Sequence, residues 1–439
     1  MKKKTIALTT LGCKVNQYES ATIAEALLAQ GYQITDFQSQ ADIYIINTCT
    51  VTRKTDYQSR QLIRRAQKNN PHAQIIVTGC YAQVAPHVLA QIPGVSLVLG
   101  NARKHNIADF IAPGRGASPA QVDVPELSGE SCFRDPPLHS FSNHTRAFLK
   151  VQDGCESFCS FCIVPYARGR CRSLPPQEVL QRLLTLSEAG FKEVVLSGIH
   201  LGAYGIDLTP RSNLLTLLQL IDSTRPVRRI RLSSLEPMDI SKELIMFLSA
   251  SQTICPHLHL PLQSGNDHIL KRMNRPYRAA DFKELVETLS ATIPELCLGT
   301  DLMAGFPGET EEQFRSTYEM LEALPINYAH VFPYSRREKT PAAAFPEQHP
   351  PQTIKSRSAL LRDLGNKKRR EFYSAYLGKE LTVLVEGKAD GLRGSLRGRS
   401  RNYIPVAFEG PATLRNHEVT VVAAKLEGER VWGVCKDRL

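Results

Sequence analysis

The sequence lacks any hydrophobic run that approaches the roughly 18 residues of a membrane-spanning helix. Its first residues imitate a lipoprotein signal that ends at Cys13. The apolar part extends only from Ile6 to Leu11 and contains two threonines, which is shorter than the roughly 7–15 residues of a signal-peptide core. We therefore expect a cytoplasmic protein without membrane contact.

Internal repeats, low-complexity tracts and the cysteine pattern of small secreted proteins are also absent. The chain has 439 residues and 11 cysteines, an odd number in a long sequence without a secretory signal. Disulfide frameworks belong to short secreted domains, so we expect reduced thiols that bind metal. The chain is longer than a domain with a single hydrophobic core usually is, so we expect two or three domains.

Acidic residues are too few to balance the basic ones. The net charge is +11 with a pI of about 9.1, which permits a polyanionic partner. Much of the excess lies at the end of the chain, where residues 351–439 contain 18 lysines and arginines against 10 acids.

The first 110 residues alternate short apolar runs with helical patterns, which predicts an α/β domain with an open parallel sheet. The predicted strands are Thr5–Leu11, Asp42–Thr48, Gln74–Thr78 and Val95–Leu99. The predicted helices are Tyr18–Gln30, Asp56–Asn69 and Gln83–Gln91.

The rest of the chain divides into three segments where the residue composition and the strand–helix pattern change. Prolines and glycines in 111–142 predict a linker. Six strand–helix units in 143–374 predict a (β/α) barrel that is partial or complete, with its reactive centre at the carboxyl ends of the strands. Short strands with glycine turns in 375–439 predict a small antiparallel β barrel.

The strongest motif is Cys155-Glu-Ser-Phe-Cys159-Ser-Phe-Cys162, which follows the first predicted barrel strand. A loop with these spacings can supply three thiolates to a four-iron cluster and leave one iron open to a small molecule. The alternatives are an accidental cluster or a zinc site with Cys171 or a histidine as fourth ligand. The three-residue first gap and the strand–helix units that follow favour iron.

A second group consists of Cys13, Cys49 and Cys80, each at the carboxyl end of a predicted parallel strand. Loops at those ends converge on one crevice of an open α/β sheet, so the three thiols should be neighbours. Gly12 and Gly79 would let the backbone turn tightly around a bound group. Buried cysteines without a ligand are the alternative, but three in one crevice favour a second cluster.

The remaining cysteines do not form such a group. Cys171 follows Arg168-Gly-Arg170, Cys132 lies in the predicted linker, and the others fit positions in or near strands. We interpret Cys132, Cys171, Cys255, Cys297 and Cys435 as structural.

With both cysteine groups placed, the chain resembles the radical S-adenosylmethionine methylthiotransferases nearly end to end. Further motifs carry the resemblance, namely Ser233-Ser-Leu-Glu-Pro237, His259-Leu-Pro-Leu-Gln-Ser-Gly265, Gly305-Phe-Pro-Gly-Glu-Thr310 and Phe332-Pro-Tyr-Ser335. It implies an N-terminal domain with an auxiliary cluster over 1–110, a linker, a radical barrel over 143–374 and an RNA-binding TRAM domain over 375–439.

The resemblance also implies cofactors and chemistry. Cys155, Cys159 and Cys162 would hold a [4Fe–4S] cluster that binds S-adenosylmethionine, and the other triad would hold an auxiliary [4Fe–4S] cluster. One S-adenosylmethionine would give the radical that removes hydrogen from carbon 2 of an adenine, and a second would methylate the transferred sulfur. No side chain is expected to act as acid or base, because an aromatic C–H has no acidic proton to remove.

Four residues are candidates for binding S-adenosylmethionine. Phe161 precedes the third cysteine, where the superfamily has an aromatic near the adenine, although a core aromatic fits equally. Glu236 and Gln263 lie at or beyond strand ends, and Asp301 lies on a later strand. Caps, turns and buried polar pairs are the alternatives for these three.

The expected partners follow from the same resemblance and from the basic tail. Leu-Gly-Cys-Lys-Val-Asn around Cys13 is most similar to the subgroup that acts on threonylcarbamoyladenosine at position 37, beside the anticodon. Other subgroups have Gly-Cys-Gln-Met-Asn or Gly-Cys-Pro-Lys-Asn there. We expect the tRNA anticodon stem-loop as substrate, and flavodoxin or ferredoxin as electron donor.

The side chains expected to contact this RNA lie in a basic helix and in the C-terminal domain, as phosphate contacts and one stacking aromatic. They are Lys367, Lys368, Arg369, Arg370, Arg393, Arg397, Arg399, Arg401 and Tyr403. Removal of residues 376–439 is expected to weaken tRNA binding and to leave the barrel reaction intact. The alternatives are methylthiotransferases for isopentenyladenosine or a ribosomal protein, and a non-catalytic metal-containing RNA-binding module.

Overall fold

The computed structural model describes residues 3–111, 119–127, 132–133, 135–139, 145–387 and 395–437. Its N-terminal part is a parallel sheet of six strands in the order β2-β1-β3-β4-β5-β6. The strands are β1 Thr5–Thr10, β2 Gln33–Thr35, β3 Ile43–Thr48, β4 Gln74–Gly79, β5 Val95–Leu99 and β6 Gln121–Asp123. The helices are α1 Lys14–Ala29, α2 Arg53–Asn69, α3 Cys80–Val84 and α4 Pro86–Ala90, followed by a 3₁₀ helix over Lys104–Phe110.

The two central strands explain why this sheet forms. Every residue of β3 and β4 is buried, as expected for parallel strands that helices cover on both faces. The predicted open α/β sheet is confirmed. Within the stretch interpreted as linker, Gln121–Asp123 form β6 and pair with β5. This strand escaped sequence analysis because it has three residues and lies among glycines and prolines.

The middle of the chain forms an open barrel of six parallel strands. Two three-stranded halves, β7-β10-β11 and β12-β13-β14, meet where Ile230 pairs with Ile254. The strands are β7 Arg146–Lys150, β10 Glu193–Ser197, β11 Arg229–Leu232, β12 His257–His259, β13 Cys297–Ala304 and β14 Tyr328–Pro333, with a short antiparallel pair β8 Gln152–Asp153 and β9 Arg172–Ser173. The helices are α5 Val164–Arg168, α6 Pro176–Glu188, α7 Leu214–Thr224, α8 Lys242–Ala250, α9 Asp267–Arg272, α10 Ala279–Thr292, α11 Glu311–Ala323 and α12 Pro351–Ser374.

The C-terminal part is a closed barrel of five strands in the order β15-β16-β17-β19-β18. The strands are β15 Glu380–Val385, β16 Leu396–Ser400, β17 Pro405–Phe408, β18 Glu418–Glu427 and β19 Arg430–Cys435. The predicted small β barrel is confirmed, although β17 and β19 pair in parallel and close it. None of the helices in the described ranges has the length and apolar character that crossing a bilayer requires.

This small barrel docks against the amino-terminal ends of the large barrel's strands. Arg229 and Arg231, near the start of β11, donate to the backbone oxygens of Thr382 and Arg401 at 2.9 Å. The Tyr403 ring lies 4.8 Å from the guanidinium of Arg231. The two barrels therefore share a polar, largely buried interface.

Candidate functional site

The first cysteine triad lies at one edge of the N-terminal sheet. Cys13 caps the start of α1 after β1, Cys49 follows β3, and Cys80 begins α3 after β4. These three strands are adjacent and parallel, so their carboxyl ends meet at the same edge. The structure brings the three residues together as the sequence predicted.

Two glycines make room for this triad. Both have positive φ, +105° at Gly12 and +94° at Gly79, which suits glycine. A Cβ on Gly12 would lie 2.8 Å from the Cβ and 3.0 Å from the Sγ of Cys49. A Cβ on Gly79 would lie 2.4 Å from the Thr48 backbone oxygen. The backbone here forms a cradle that any side chain would fill.

The electrostatics of this triad call for a cationic ligand. Burial, together with the neighbouring thiolates of Cys80 and Cys13, raises the pKa of Cys49 to about 12. Cys49 and Cys80 are buried and Cys13 is exposed, and three neighbouring thiolates repel one another. They can ligate together only if a bound cation compensates their charge.

The second triad lies in the loop between β8 and α5. Phe158 adopts φ +44° inside this loop, and the Cys155 N–H donates to the Gly169 oxygen at 3.0 Å. The Cys162 N–H donates to the Cys159 oxygen at 2.9 Å. Burial, Cys159 and then Cys155 raise the pKa of Cys162 to about 12, so this triad also needs a compensating cation.

Charged side chains that sequence analysis missed contact two of these sulfurs. Arg275 Nη1 donates to Cys159 Sγ at 3.3 Å, and His200 Nδ1 lies 3.8 Å from Cys155 Sγ. The other ring nitrogen of His200 lies 2.8 Å from Asp239 Oδ2. Although burial opposes the charge, hydrogen bonds to Asp239 and Cys155 raise the pKa of His200 to about 10. A cationic imidazole beside Cys155 favours its thiolate form.

Neither triad has the geometry of a site for one metal ion. Among the described residues, the one group of three potential ligand atoms that all lie within 4.8 Å of one another is His259, Asp301 and His330. In each triad at least one pair of sulfurs is therefore more than 4.8 Å apart, which is wider than two ligands that each lie about 2.3 Å from one zinc ion can be. Wider spacing suits a cluster of several irons.

The candidates for binding S-adenosylmethionine have different surroundings. Gln263 has φ +68°, and its side-chain amide has no hydrogen-bond partner among the described residues. Phe161 packs beside a small apolar cluster next to the cysteine loop. Glu236 forms an ion pair with Arg275, the residue that contacts Cys159. Phe161 lies within the cysteine loop, and Glu236 is linked to Cys159 through Arg275.

The carboxylate of Asp301 contacts two histidines of the barrel. Its Oδ1 lies 2.8 Å from His259 Nε2 and 3.6 Å from His330 Nδ1. The Tyr328 hydroxyl bridges His259 Nδ1 and His257 Nε2, at 3.1 and 2.8 Å. Both histidines contact Oδ1 of Asp301, and the cofactor contact of Asp301 stays a prediction.

The two triads face one interface between the domains. Helix α3, which begins with Cys80, packs against α5, which begins two residues after Cys162. Arg168 at the end of α5 donates from Nε to Cys80 Sγ at 3.3 Å. The motif Arg168-Gly-Arg170 was visible in the sequence, but nothing local indicated a contact with a cysteine 88 positions earlier.

The predicted RNA contacts divide into two groups. Lys367 and Arg370 are exposed on α12, whereas Lys368 Nζ donates to the Glu322 backbone oxygen. A cavity of about 420 Å³ lies between α12 and the small barrel. Its charged and aromatic lining includes Arg369, Arg397, Arg399, Arg430, Tyr328, Tyr373, Tyr403, His330, Glu386 and Glu429. Arg393 lies outside the described residues.

Two of these predicted contacts belong to the interface between the barrels. The Tyr403 ring lies 4.3 Å from the His257 ring and 4.4 Å from the Arg399 guanidinium. Arg401 Nη2 donates to the backbone oxygens of Gln252 and Ile254. Tyr403 and Arg401 thus help to join the two barrels, and their contacts with RNA stay a prediction.

Comparison with known proteins agrees with this architecture. Two family profiles match the chain, Uncharacterized protein family UPF0004 over residues 5–100 and the Radical SAM superfamily over residues 149–321. Among solved structures, the radical S-adenosylmethionine methyltransferase TsrM from Kitasatospora setae aligns with a TM-score of 0.55 over 78% of this chain and 75% of its own. At 16% identity, this similarity concerns the fold alone.

Curated relatives match over nearly the whole chain. The threonylcarbamoyladenosine tRNA methylthiotransferase MtaB of Bacillus subtilis (strain 168) is 40% identical over 92% of this chain and 90% of its own. The protein of that name from Thermotoga maritima is 35% identical over 97% and 96%. A tRNA-2-methylthio-N(6)-dimethylallyladenosine synthase from Acetivibrio thermocellus is 33% identical over 96% and 88%.

Proposed function

The chain belongs to the tRNA methylthiotransferases of the radical S-adenosylmethionine superfamily, and we propose that it converts threonylcarbamoyladenosine beside the anticodon of tRNA to its 2-methylthio derivative. The observation that carries this proposal is the pair of cysteine triads that face each other across one domain interface. A non-catalytic RNA-binding module would need neither triad at a barrel's reactive edge.

The residues present fit two iron–sulfur clusters. Cys155, Cys159 and Cys162 would hold the first, and Cys13, Cys49 and Cys80 would hold the second in the cradle that Gly12 and Gly79 leave open. With their iron bound, these sites supply a radical-forming centre that uses S-adenosylmethionine and a carrier for the transferred sulfur. Fully loaded protein should contain about eight irons.

The chain's own side chains would orient the cofactor and keep water away. The unpaired amide of Gln263 is available to the methionyl or ribose groups, and Phe161 offers an apolar face to the adenine. Glu236 acts through Arg275, whose orientation it fixes beside Cys159. Reduction by one electron requires a donor, for which we propose flavodoxin or ferredoxin, in the cytoplasm where tRNA is modified.

Lys14 supports the choice of substrate. It follows Cys13 directly at the start of α1, which packs on β7. It is half-buried and has no ion-pair partner among the described residues. Arg146 and Arg231 of the barrel lie close enough for their charges to act on Lys14, and Glu193 is already shared between those two arginines.

A cation without an acid partner among the described residues favours an anionic substrate. The threonylcarbamoyl group carries a carboxylate, whereas an isopentenyl group is neutral and apolar. We therefore infer that Lys14 binds the carboxylate of the modified adenosine. The other subgroups resemble this sequence less closely at this position.

The RNA itself would lie against α12 and the small barrel. Lys367 and Arg370 are exposed there, and Arg369, Arg397 and Arg399 line the adjacent cavity. Clustered cations of this kind bind phosphates through release of counterions. We propose that this surface, defined by those five residues, holds the backbone of the anticodon stem-loop.

The test combines nucleoside mass spectrometry of tRNA with an assay of deoxyadenosine formation. Wild-type protein should methylthiolate threonylcarbamoyladenosine and not isopentenyladenosine. Cys49→Ala should still form deoxyadenosine without product, because the sulfur carrier is lost. Lys14→Gln should lower product yield at least tenfold, equivalent to about 1.4 kcal/mol, with the iron content unchanged. Full yield from Cys49→Ala, or methylthiolation of isopentenyladenosine alone, would contradict the proposal.

A further inference from the structure

Each cysteine triad has one sulfur that accepts a hydrogen bond from an arginine. Arg275 donates from Nη1 to Cys159, and Arg168 donates from Nε to Cys80, both at 3.3 Å. The two arginines differ in origin. Arg275 and Cys159 belong to the same barrel, whereas Arg168 belongs to the barrel and Cys80 to the N-terminal domain.

Arg168 is held firmly in this position. It is 1% exposed, and its Nη1 and Nη2 atoms bind both carboxylate oxygens of Glu19. Nη1 also lies 3.3 Å from Asp153 Oδ2, and Nη2 donates to Asn16 Oδ1. With every donor directed at a partner, the guanidinium has little freedom to turn away from Cys80.

The buried network around Arg168 carries an excess of positive charge. Its ion pairs join four cations to three carboxylates. The cations are Lys104, Lys150, Arg168 and Arg172, and the carboxylates are Glu19, Asp135 and Asp153. Glu19 keeps two lysines as partners even without Arg168. The charge of Arg168 is therefore not needed to neutralise the acids and is available to the sulfur.

The contact also depends on docking of the two domains. Arg168 is the last residue of α5, and Asn101 of the N-terminal domain donates to the Ala167 backbone oxygen at 2.6 Å. Separation of the domains would remove the Nε–H from Cys80. The environment of the first triad is thus completed by α5, the helix that follows the loop carrying the second triad.

We propose that Arg168 is a positioning residue that raises the reduction potential of the cluster held by Cys13, Cys49 and Cys80. This inference rests on the proposed function, since it requires a cluster on that triad. A positive charge and an N–H directed at a ligating sulfur stabilise the reduced, more negative state of a cluster. The potential of the auxiliary cluster then depends on the domains being docked.

The test measures the midpoint potential of the auxiliary cluster by a redox titration followed by electron paramagnetic resonance. The full chain is used with Cys155, Cys159 and Cys162 all replaced by Ala, so that one cluster remains. In this background Arg168→Gln should lower the equilibrium constant for one-electron reduction at least tenfold, a shift of about 59 mV. Arg168→Lys, which keeps the charge, should recover part of the shift.

Two further variants separate the electrostatic effect from general loosening. Glu19→Gln perturbs the same network without touching a sulfur and removes a negative charge, so it should raise the potential or leave it unchanged. Arg275 lies beside the other triad, so Arg275→Gln should leave the potential of the auxiliary cluster unchanged. If the substitutions merely loosened the structure around the cluster, they would expose it to solvent. The midpoint potentials of Arg168→Gln and Glu19→Gln would then shift in the same direction.

Equal potentials for wild type and Arg168→Gln, or a downward shift in Glu19→Gln, would overturn the inference. If Arg168→Gln does not retain iron, Arg168→Lys is compared with Arg168 in the same background. A lower potential in the lysine variant supports the inference, and an equal one overturns it. Absence of any cluster from this background would contradict the proposed function itself, which distinguishes the two failures.

Discussion

At the scale of single residues, Gly12 shows how closely the backbone surrounds the first triad. Its φ of +105° and the 3.0 Å between a Cβ built there and Cys49 Sγ leave no room for a methyl group. Gly31 at the other end of α1 has φ +86° and nothing within 4 Å of such a Cβ. An alanine at either position would be strained by the positive φ. The two positions differ in the space available to its methyl group.

We expect Gly12→Ala to lose the auxiliary cluster, about four of about eight irons, because the methyl group displaces Cys49. The barrel cluster should remain, with deoxyadenosine still formed. Gly31→Ala, which carries a similar backbone strain of roughly 1–2 kcal/mol at positive φ, should keep all of its iron. Iron analysis and absorption spectra of the two variants measure this, and equal iron contents would show that Gly12 does not shape the cradle.

At the scale of elements, the charged helix α12 is divided between packing and solvent. Its Leu361 and Leu364 are buried, and Lys368 is hydrogen-bonded to α11 through the Glu322 backbone oxygen. Lys367 and Arg370 have no ion-pair partner in the described ranges. This outer face is free to contact a polyanion, a distinction that the run Lys367-Lys-Arg-Arg370 did not reveal.

Neutralising Lys367 and Arg370 together should weaken tRNA binding and reduce the slope of log affinity against log salt by about 1 to 2, since each phosphate contact releases about one counterion. The melting temperature should not change, because exposed charges contribute little to stability. The matched control neutralises Lys242 and Lys283, which are exposed on α8 and α10. Identical salt slopes for both double variants would remove α12 from the RNA surface.

At the scale of the whole molecule, the small C-terminal barrel is part of the large barrel's structure. Arg229 and Arg231 are fully buried, and they use backbone oxygens of the small barrel as acceptors. The Tyr403 ring packs against His257, which is itself buried in the large barrel. The expectation that residues 376–439 can be removed without consequence for the barrel reaction therefore does not follow from this structure.

We expect removal of residues 376–439 to lower the melting temperature of the large barrel and its retention of iron, in addition to weakening tRNA binding. Within the full chain, Tyr403→Ala should cost about 2 kcal/mol through lost packing and cation–π contacts. Val434→Ala is the control, since Val434 lies 64% exposed on the same small barrel. Thermal unfolding measures all three, and an unchanged melting temperature for the truncation would show that the domains are independent.

The sequence by itself determined the order of the domains, the strands that carry both cysteine triads and the convergence of Cys13, Cys49 and Cys80. Strand patterns are local, and the carboxyl ends of parallel strands meet whatever the details of packing. Tertiary structure alone decided which side chains contact the sulfurs and which basic residues remain exposed. Arg168 lies 88 positions from Cys80, and Tyr403 lies 146 positions from the His257 ring that it packs against. Such contacts depend on how whole domains dock, which no local pattern of residues encodes.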